Sequence, residues 1–419
     1  KIHAVTGERP DIEMAAEWAD HRARIVVTSV QTQNANLKDI KRMQRFDPDE
    51  FALLVIDEAH HAPADTYRRL IDHYRQNPQL KVLGVTATPD RLDELALGQI
   101  FESVAYDYEI EDAIRDGYLV DIHQHSTVIE GLDLSKCRTT AGDLNSADLA
   151  RVMEYEQPLL GIADATFRES RGRKTLLFAT SVAHAEHLAE IFNRYETGCA
   201  RWVCGKTPKD ERRDMIRAYA AGEFAILCNV GVATEGFDEP GIECISMARP
   251  TKSRALYAQA VGRGTRPLTG VVDPHDTSAD RVAAIAASSK THLEVLDFVG
   301  NAGRHRLMSC ADILGGRYAE AVVERARQMQ ADGDQRDTTE VLEEAEEVVV
   351  RDEAEARRRL FVKAKATYKK TRINPFTVFG LQPARDRAWD VDRPVSDKMR
   401  ALLEKNGVDV DAVGWAQAR

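Results

Sequence analysis

The chain has 419 residues, 43% hydrophobic and 30% charged, with a formal net charge of −11. That length allows two or three domains with a sizeable core, and no apolar run approaches the roughly 20 residues that cross a bilayer, which excludes a helical membrane protein. The six cysteines are scattered, with no CxxC pair and no flanking histidines at metal spacing, so neither a disulfide framework nor a zinc site is indicated, and a reducing, cytoplasmic setting fits.

The N-terminus, "KIHAVTGERP", carries neither an initiator methionine nor a basic-then-apolar leader, and the reading is that the chain begins mid-protein. Short apolar runs then alternate with helical patterns. They are "RIVVTSV" (24–30), "FALLVI" (51–56), "KVLGVTAT" (81–88), "KTLLFATS" (174–181), "FAILCNV" (224–230) and "ECISMAR" (243–249). Such runs, interleaved with amphipathic stretches such as "VAHAEHLAEIFNRY" (182–195), predict an α/β chain whose parallel strands are covered on both faces. The first domain is placed at 1–117 and the second at 118–300. A helical extension over 301–419 follows, entered through a solvated linker at "QADGDQRDTTE" (330–340). Residues 332–356 hold eleven acids and two bases, and residues 357–372 eight bases and no acid, so the net charge says little about partners. Residues 396–411 read as a capped helix with a glycine stop. The basic stretch suits either nucleic-acid contact, with Phe361 and Tyr368 for stacking, or a solvated helix paired with the acids before it.

Most of the runs end in polar residues, and ligands bind outside the carboxyl ends of parallel strands. In "LLVIDEAHHAP" (53–63), Asp57 is suited to hold Mg²⁺ through its water shell and Glu58 to orient or deprotonate a water. Thr86 and Thr88 of "TATPDR" are placed to hydrogen-bond back to His60. Arg263 and Arg266 of "QAVGRGTR", three apart on one helical face, are suited to neutralise charge on a transferred phosphate, with Gly262 and Gly264 kept for close approach. Thr28, Gln31, Thr32, Ser181 and Thr234 are polar side chains at strand ends, suited to phosphate contacts that carry no sequence information.

These strings resemble the motifs of superfamily 2 helicases and translocases of the DEAD/DEAH type. "DEAH" (57–60) resembles motif II, "TAT" (86–88) motif III, "LLFATSVAHAEHLAEIF" motif IV, "TEGFD" (234–238) motif V and "QAVGRGTR" (259–266) motif VI. "VVTSVQT" (26–32) is similar to a segment that grips a nucleic-acid backbone. The resemblance spans residues 24–270 in order and implies two RecA-like domains, the first truncated, with ATP between them and nucleic acid across both. It further implies nucleotide contacts by Asp57, His60, Gly236, Asp238, Gln259, Arg263 and Arg266. Glu58 would share Mg²⁺ with Asp57, and Thr86 and Thr88 would couple the domains.

A phosphate-cradling loop requires GxxxxGK[ST]. The string "CGKT" (204–207) fails that spacing, since Ala200 stands five before Gly205, and Thr207 suits either a strand-phosphate contact or a plain turn. The loop is therefore expected ahead of residue 1, and this polypeptide alone is expected to bind ATP poorly. The resemblance favours the DNA-acting branch over RNA helicases, with restriction or phage replication partners. The alternatives are an RNA helicase, or a non-catalytic nucleic-acid-binding scaffold that lost its loop.

Overall fold

The computed structural model of the chain describes residues 2–86, 97–232, 237–303, 305–331, 336–363 and 395–407. Two compact units divide between Ala105 and Tyr106, twelve residues ahead of the expected boundary at 117. The reason is the helix Ile110–Arg115, whose Ile110 and Ile114 pack into the core of the second unit.

In the first unit, β1 (Asp11–Glu13) pairs in parallel with β2 (Val26–Thr28), and β3 (Leu53–Ile56) in parallel with β4 (Lys81–Gly84). Each is a two-stranded sheet. The strands were expected to be covered on both faces. Instead Leu53, Val55, Leu83 and Val85 are exposed, while Ile56 packs on the helix Asp65–Tyr74 through Ile71. Strand alternation explains this, because only one face of the pair meets that helix.

A charged group sits at the centre of the β1 region. Glu13 is fully buried and accepts from Ala19 N (2.7 Å), Arg42 Nε (2.5 Å) and Arg45 Nη1 (2.6 Å), while the Arg42 guanidinium lies 3.8 Å over the Trp18 ring. Burial pushes the Glu13 carboxyl up, but the Ala19 N–H and the two arginines outweigh it and hold the group below the usual carboxylate range.

The second unit is built on a six-stranded sheet. Its strands are β5 (Asp121–Asp133), β6 (Thr175–Phe178), β7 (Ala200–Cys204), β8 (Ile226–Val230), β9 (Cys244–Met247) and β10 (His292–Asn301), in the order β7-β8-β6-β9-β10-β5. All five pairings are parallel. All four residues of β6 are buried, on both faces of the sheet, as an apolar run inside a parallel sheet requires. One face is covered by Glu156–Ser170 and by Val182–Tyr195, the latter with the bounds its amphipathic pattern predicts. The other face is covered by Lys209–Ala220, Arg254–Gly262, Cys310–Leu314, Glu320–Ala331 and the start of Thr338–Lys363.

The helices after residue 301 thus share the core of the second unit, through Ile313, Val323 and Leu342. The expected solvated linker is instead docked at its described end, where Asp337 Oδ1 accepts from Ile122 N (3.3 Å) and the Thr338 hydroxyl donates to Ile122 O (2.9 Å). Helix Asp397–Lys405 has Ser396 as its cap, and Gly407 follows with φ +74°. The basic stretch lies partly outside the described residues.

Removing one member of a buried ion pair leaves the other charge uncompensated, at a cost of about 3–5 kcal/mol. Glu13→Ala is therefore expected to lower the urea midpoint of the first unit. Because the folded pKa is lowered, the loss is full above the ordinary glutamate range and shrinks as pH falls through the folded value. Midpoints of both proteins at pH 7 and pH 4 check the effect.

Candidate active site

In the first unit the site forms where two parallel strands end together. The β3–β4 ladder continues beyond the strands, with Val85 N donating to Ile56 O and Ala59 N to Val85 O, both at 2.9 Å. Between these bonds the chain must reverse, and Glu58 takes the left-handed conformation, φ 49° and ψ 50°. A non-glycine residue held there costs on the order of 1–2 kcal/mol. The reversal leaves Asp57 exposed, with its Oδ1 accepting the Glu58 N–H (2.9 Å).

Glu58 Oε2 lies 3.3 Å from His60 Nδ1, and the same nitrogen is 3.1 Å from the Thr86 hydroxyl. The acidic pair and the end of β4 are therefore joined through one imidazole, as the sequence predicted for Thr86. Thr88 lies outside the described residues. Gly84 permits this closeness: a Cβ there would stand 2.5 Å from Phe101 Cζ and 2.8 Å from Ala59 Cβ. An exposed carboxylate directly after the buried last residue of a strand, Ile56, fits a hydrated Mg²⁺, which binds through one or two carboxylates and keeps several waters. His61 lies against His60 with the rings tilted by 48° and their centroids 4.1 Å apart.

The strand-end hydroxyls are drawn into local structure. Thr28 Oγ1 donates to Glu13 O (2.7 Å) and accepts from Gln33 Nε2 (3.0 Å). Ser29 caps the helix Val30–Asn34 by accepting from Thr32 N, and its hydroxyl also meets that of Thr32 at 2.9 Å; Gln31 is exposed.

In the second unit Ser181 caps the helix Val182–Tyr195, accepting from His184 N (2.9 Å), and its hydroxyl donates to Glu154. Thr207 closes a turn after β7, its hydroxyl accepting from Cys204 N (3.1 Å). Thr234 and Gly236 lie outside the described residues.

The two arginines depart from expectation. The helix Arg254–Gly262 ends before them, with Arg263 as its C-cap and Arg266 in the segment beyond, so they do not share a helical face. Gly264 lets the segment beyond the helix lie close to the sheet, because a Cβ there would collide with Leu293 and approach Ile245 Cγ1 at 3.1 Å. Gly262 has open space, so the close-approach expectation holds for Gly264 alone. Arg263 Nη1 donates to Phe237 O (2.9 Å), and Arg266 pairs with Asp238. Both contacts join motif VI to the described end of motif V, and Gln259 is half-buried on the helix before them. The segment lies at the amino ends of the strands, since Thr265 O accepts from Val120 N (2.8 Å) just before β5.

Comparison with known proteins adds an independent line. Residues 3–91 match the family described as type III restriction enzyme, res subunit, and residues 158–267 match the helicase conserved C-terminal domain. Over 341 residues the chain is 31% identical to a Saccharomyces cerevisiae protein provisionally named ATP-dependent helicase IRC3, covering 77% of this chain and 45% of that protein. It is 25% identical over 256 residues to the EcoAI endonuclease subunit of an Escherichia coli type I restriction enzyme, covering 55% and 31%. The chain spans less than half the length of these curated relatives. Its fold is similar to a solved fragment described provisionally as the HsdR subunit of a type I restriction enzyme from Vibrio vulnificus, with TM-score 0.53, 21% identity and coverage of 74% and 53%. The chain therefore carries a res-subunit match and a helicase C-terminal-domain match in the order of the motifs read from its sequence.

One residue that positions the arginine segment has no signal in the sequence, where "SSKTH" looks like a solvated loop. Lys290 is 2% exposed, and its ammonium donates to Arg266 O (2.6 Å) and Pro240 O (2.7 Å), pinning motif VI to the chain just after motif V. Burial, reinforced by Arg266, pushes its pKa down to about 8 despite Glu243 and Glu239.

The unfolded chain keeps this proton to about 10.5, the folded chain only to about 8, so the unfolded state binds more protons between these values and stability rises with pH across that window. The neutral amine still has two N–H groups for the two carbonyls. Lys290→Met is expected to destabilise the second unit and to abolish that rise, as read from urea midpoints at pH 7.5 and 9.5.

Proposed function

We propose that the protein is an ATP-dependent DNA helicase or translocase in which the described motif residues hydrolyse ATP and grip the strand without reading its sequence. The observation that carries this reading is the Asp57–Glu58–His60–Thr86 constellation, in which a strained left-handed residue aims a carboxylate out of a buried strand end. Strain of this kind persists only where the surrounding bonds over-determine it, and it concentrates at functional sites.

Asp57, with Glu58 beside it, would hold Mg²⁺, which when bound supplies charge neutralisation to the phosphates. Glu58 takes a proton from the attacking water, and His60 holds the Glu58 carboxylate in place while sensing the end of β4 through Thr86. Thr88 shares the coupling role. Arg263 and Arg266 neutralise charge on the transferred phosphate, and Asp238 keeps the Arg266 guanidinium extended until then. Gly236 and Gln259 complete the nucleotide contacts.

Gln31, exposed after β2, together with Thr28, Thr32, Ser181, Thr207 and Thr234, contacts backbone phosphates. The hydroxyls of Thr28, Thr32, Ser181 and Thr207 are also bound locally, so backbone N–H groups of the same turns share that task. DNA is favoured over RNA by the motif strings and by relatives named as restriction enzymes. The partners would then be a restriction complex or a phage replication complex, in the cytoplasm. The chain contains no GxxxxGK[ST] string, so this polypeptide by itself is expected to hold ATP weakly, and the proposed activity is that of a protein that also carries such a loop.

ATP turnover of that protein, measured with single-stranded DNA, duplex DNA and RNA in parallel, tests the reading. Glu58→Gln is expected to lower turnover about 10²–10⁴-fold with nucleotide affinity retained. Arg266→Ala is expected to lower it about 10³–10⁵-fold with DNA affinity retained. Undiminished turnover in either variant removes the corresponding role, and stimulation by RNA alone removes the DNA assignment.

A further inference from the structure

A second cluster of chemistry-bearing side chains gathers at the amino ends of β5 and β10. The parallel register sets Glu294 opposite His123 and His292 opposite Asp121, and strand alternation then puts His123, His125, His292 and Glu294 on one face of the sheet. One ligand atom each from His123, His292 and Glu294 lies within 4.8 Å of the other two. The His123 and His292 rings stack 4.1 Å apart with 13° between their planes.

The surroundings are those of a built site. Glu294 is 8% exposed. His292 Nε2 lies 3.1 Å from Glu294 Oε1, while Nδ1 of the same ring lies 2.8 Å from the Thr291 hydroxyl. A ring whose one nitrogen is fixed by an outer hydrogen bond presents the other toward a metal in a set orientation. His125 Nε2 contacts Glu294 Oε2 and so orients the carboxylate from its far side. Burial, and the neighbouring His292, push His123 below its ordinary pKa, which favours the neutral imidazole that ligation needs.

We propose that His123, His292 and Glu294 form a binding site for a divalent ion of the zinc class. Two imidazole nitrogens and a carboxylate oxygen form the three-ligand set that zinc takes with a fourth position left for water. Imidazole donors disfavour Mg²⁺ and Ca²⁺, which take oxygen. On binding, the ion takes the place of the hydrogen between His292 Nε2 and Glu294 Oε1, and the neutral His292 ring carries its one proton on Nδ1, donated to the Thr291 hydroxyl. Bonds of about 2.0–2.1 Å place tetrahedral ligand atoms roughly 3.4 Å apart, a contraction that rotation of the two half-buried rings supplies. Arg173 Nη2, 3.5 Å from Glu294 Oε1, is the opposing group, and it must swing away on binding. The ion would cross-tie β5, the edge strand, to β10.

The test uses the full chain, freed of metal by chelator and desalted after addition of Zn²⁺ alone. One equivalent retained by elemental analysis, with a raised melting temperature, is the expected result. His123→Gln and His292→Gln are each expected to lose the equivalent while keeping the circular dichroism of the ion-free parent. Retention of none by the parent, or of a full equivalent by both variants, overturns the proposal. Co²⁺ substitution in the parent serves if a variant fails to fold: a visible d–d band without thiolate charge transfer supports nitrogen and oxygen ligation, and thiolate bands overturn it.

Discussion

Two strands that run in the same direction leave the sheet at the same edge, and this property of parallel pairing generates the first unit's site. The ladder bonds from Val85 N to Ile56 O and from Ala59 N to Val85 O fix the exits of β3 and β4 within one hydrogen bond of each other. The backbone between the bonded residues has room for a single reversal, which falls on Glu58. The strain is of the same order as the net worth of one or two hydrogen bonds, about 0.5–1.5 kcal/mol each, so the two ladder bonds and the His60 bridge are enough to hold it. Without parallel pairing, His60 and Thr86, 26 residues apart, would have no reason to meet.

The arginine segment is held by different means, and the magnitudes separate its two members. Arg266 and Asp238 are both more than a third exposed, and an ion pair so placed is worth roughly 0–1 kcal/mol. So weak a pair holds the guanidinium loosely. Arg263, by contrast, is bonded to a backbone carbonyl at Phe237 and starts from the C-cap of a helix packed in the core. The backbone of both is fixed from behind by Gly264 against Leu293 and by the buried Lys290 ammonium. The side chain of Arg266 is therefore free to exchange partners while its main chain stays put.

The apolar runs and the helix at 182–195 were legible because burial inside a parallel sheet leaves a continuous apolar signature, and a surface helix leaves a 3.6-residue one. The strands β5 and β10 were not. "DIHQHSTVIEGLD" and "HLEVLDFVGN" carry histidines and acids because part of each strand faces a polar cluster, which interrupts the apolar run. Motif residues could be placed by resemblance, and the contact of Thr86 with His60 could be anticipated from strand ends. The close course of the chain after the arginine helix could not, because it depends on what a Cβ at residue 264 would strike, a fact held by Leu293. Glu13, Arg42 and Arg45 were equally silent, since nothing local marks Glu13 among 68 acids as a buried one.

The amino edge of the second unit's sheet concentrates what sequence reading passed over. An open parallel sheet has two edge strands with unpaired backbone groups, and here one of them is β5, whose Ile122 N–H and C=O are taken by Asp337 and Thr338. That docking draws the acidic segment onto the strand that also carries His123 and His125. Lys290, two residues ahead of His292, reaches back to the arginine segment. A short stretch of chain from 290 to 294 thus bonds the motif VI backbone at one end and meets the edge strand's imidazoles at the other. Any restraint on β10 at His292 and Glu294 narrows the positions open to Lys290, and through it to the carbonyl of Arg266. Covalent continuity over four residues, rather than a relay of side chains across the sheet, is what makes this edge a single mechanical element.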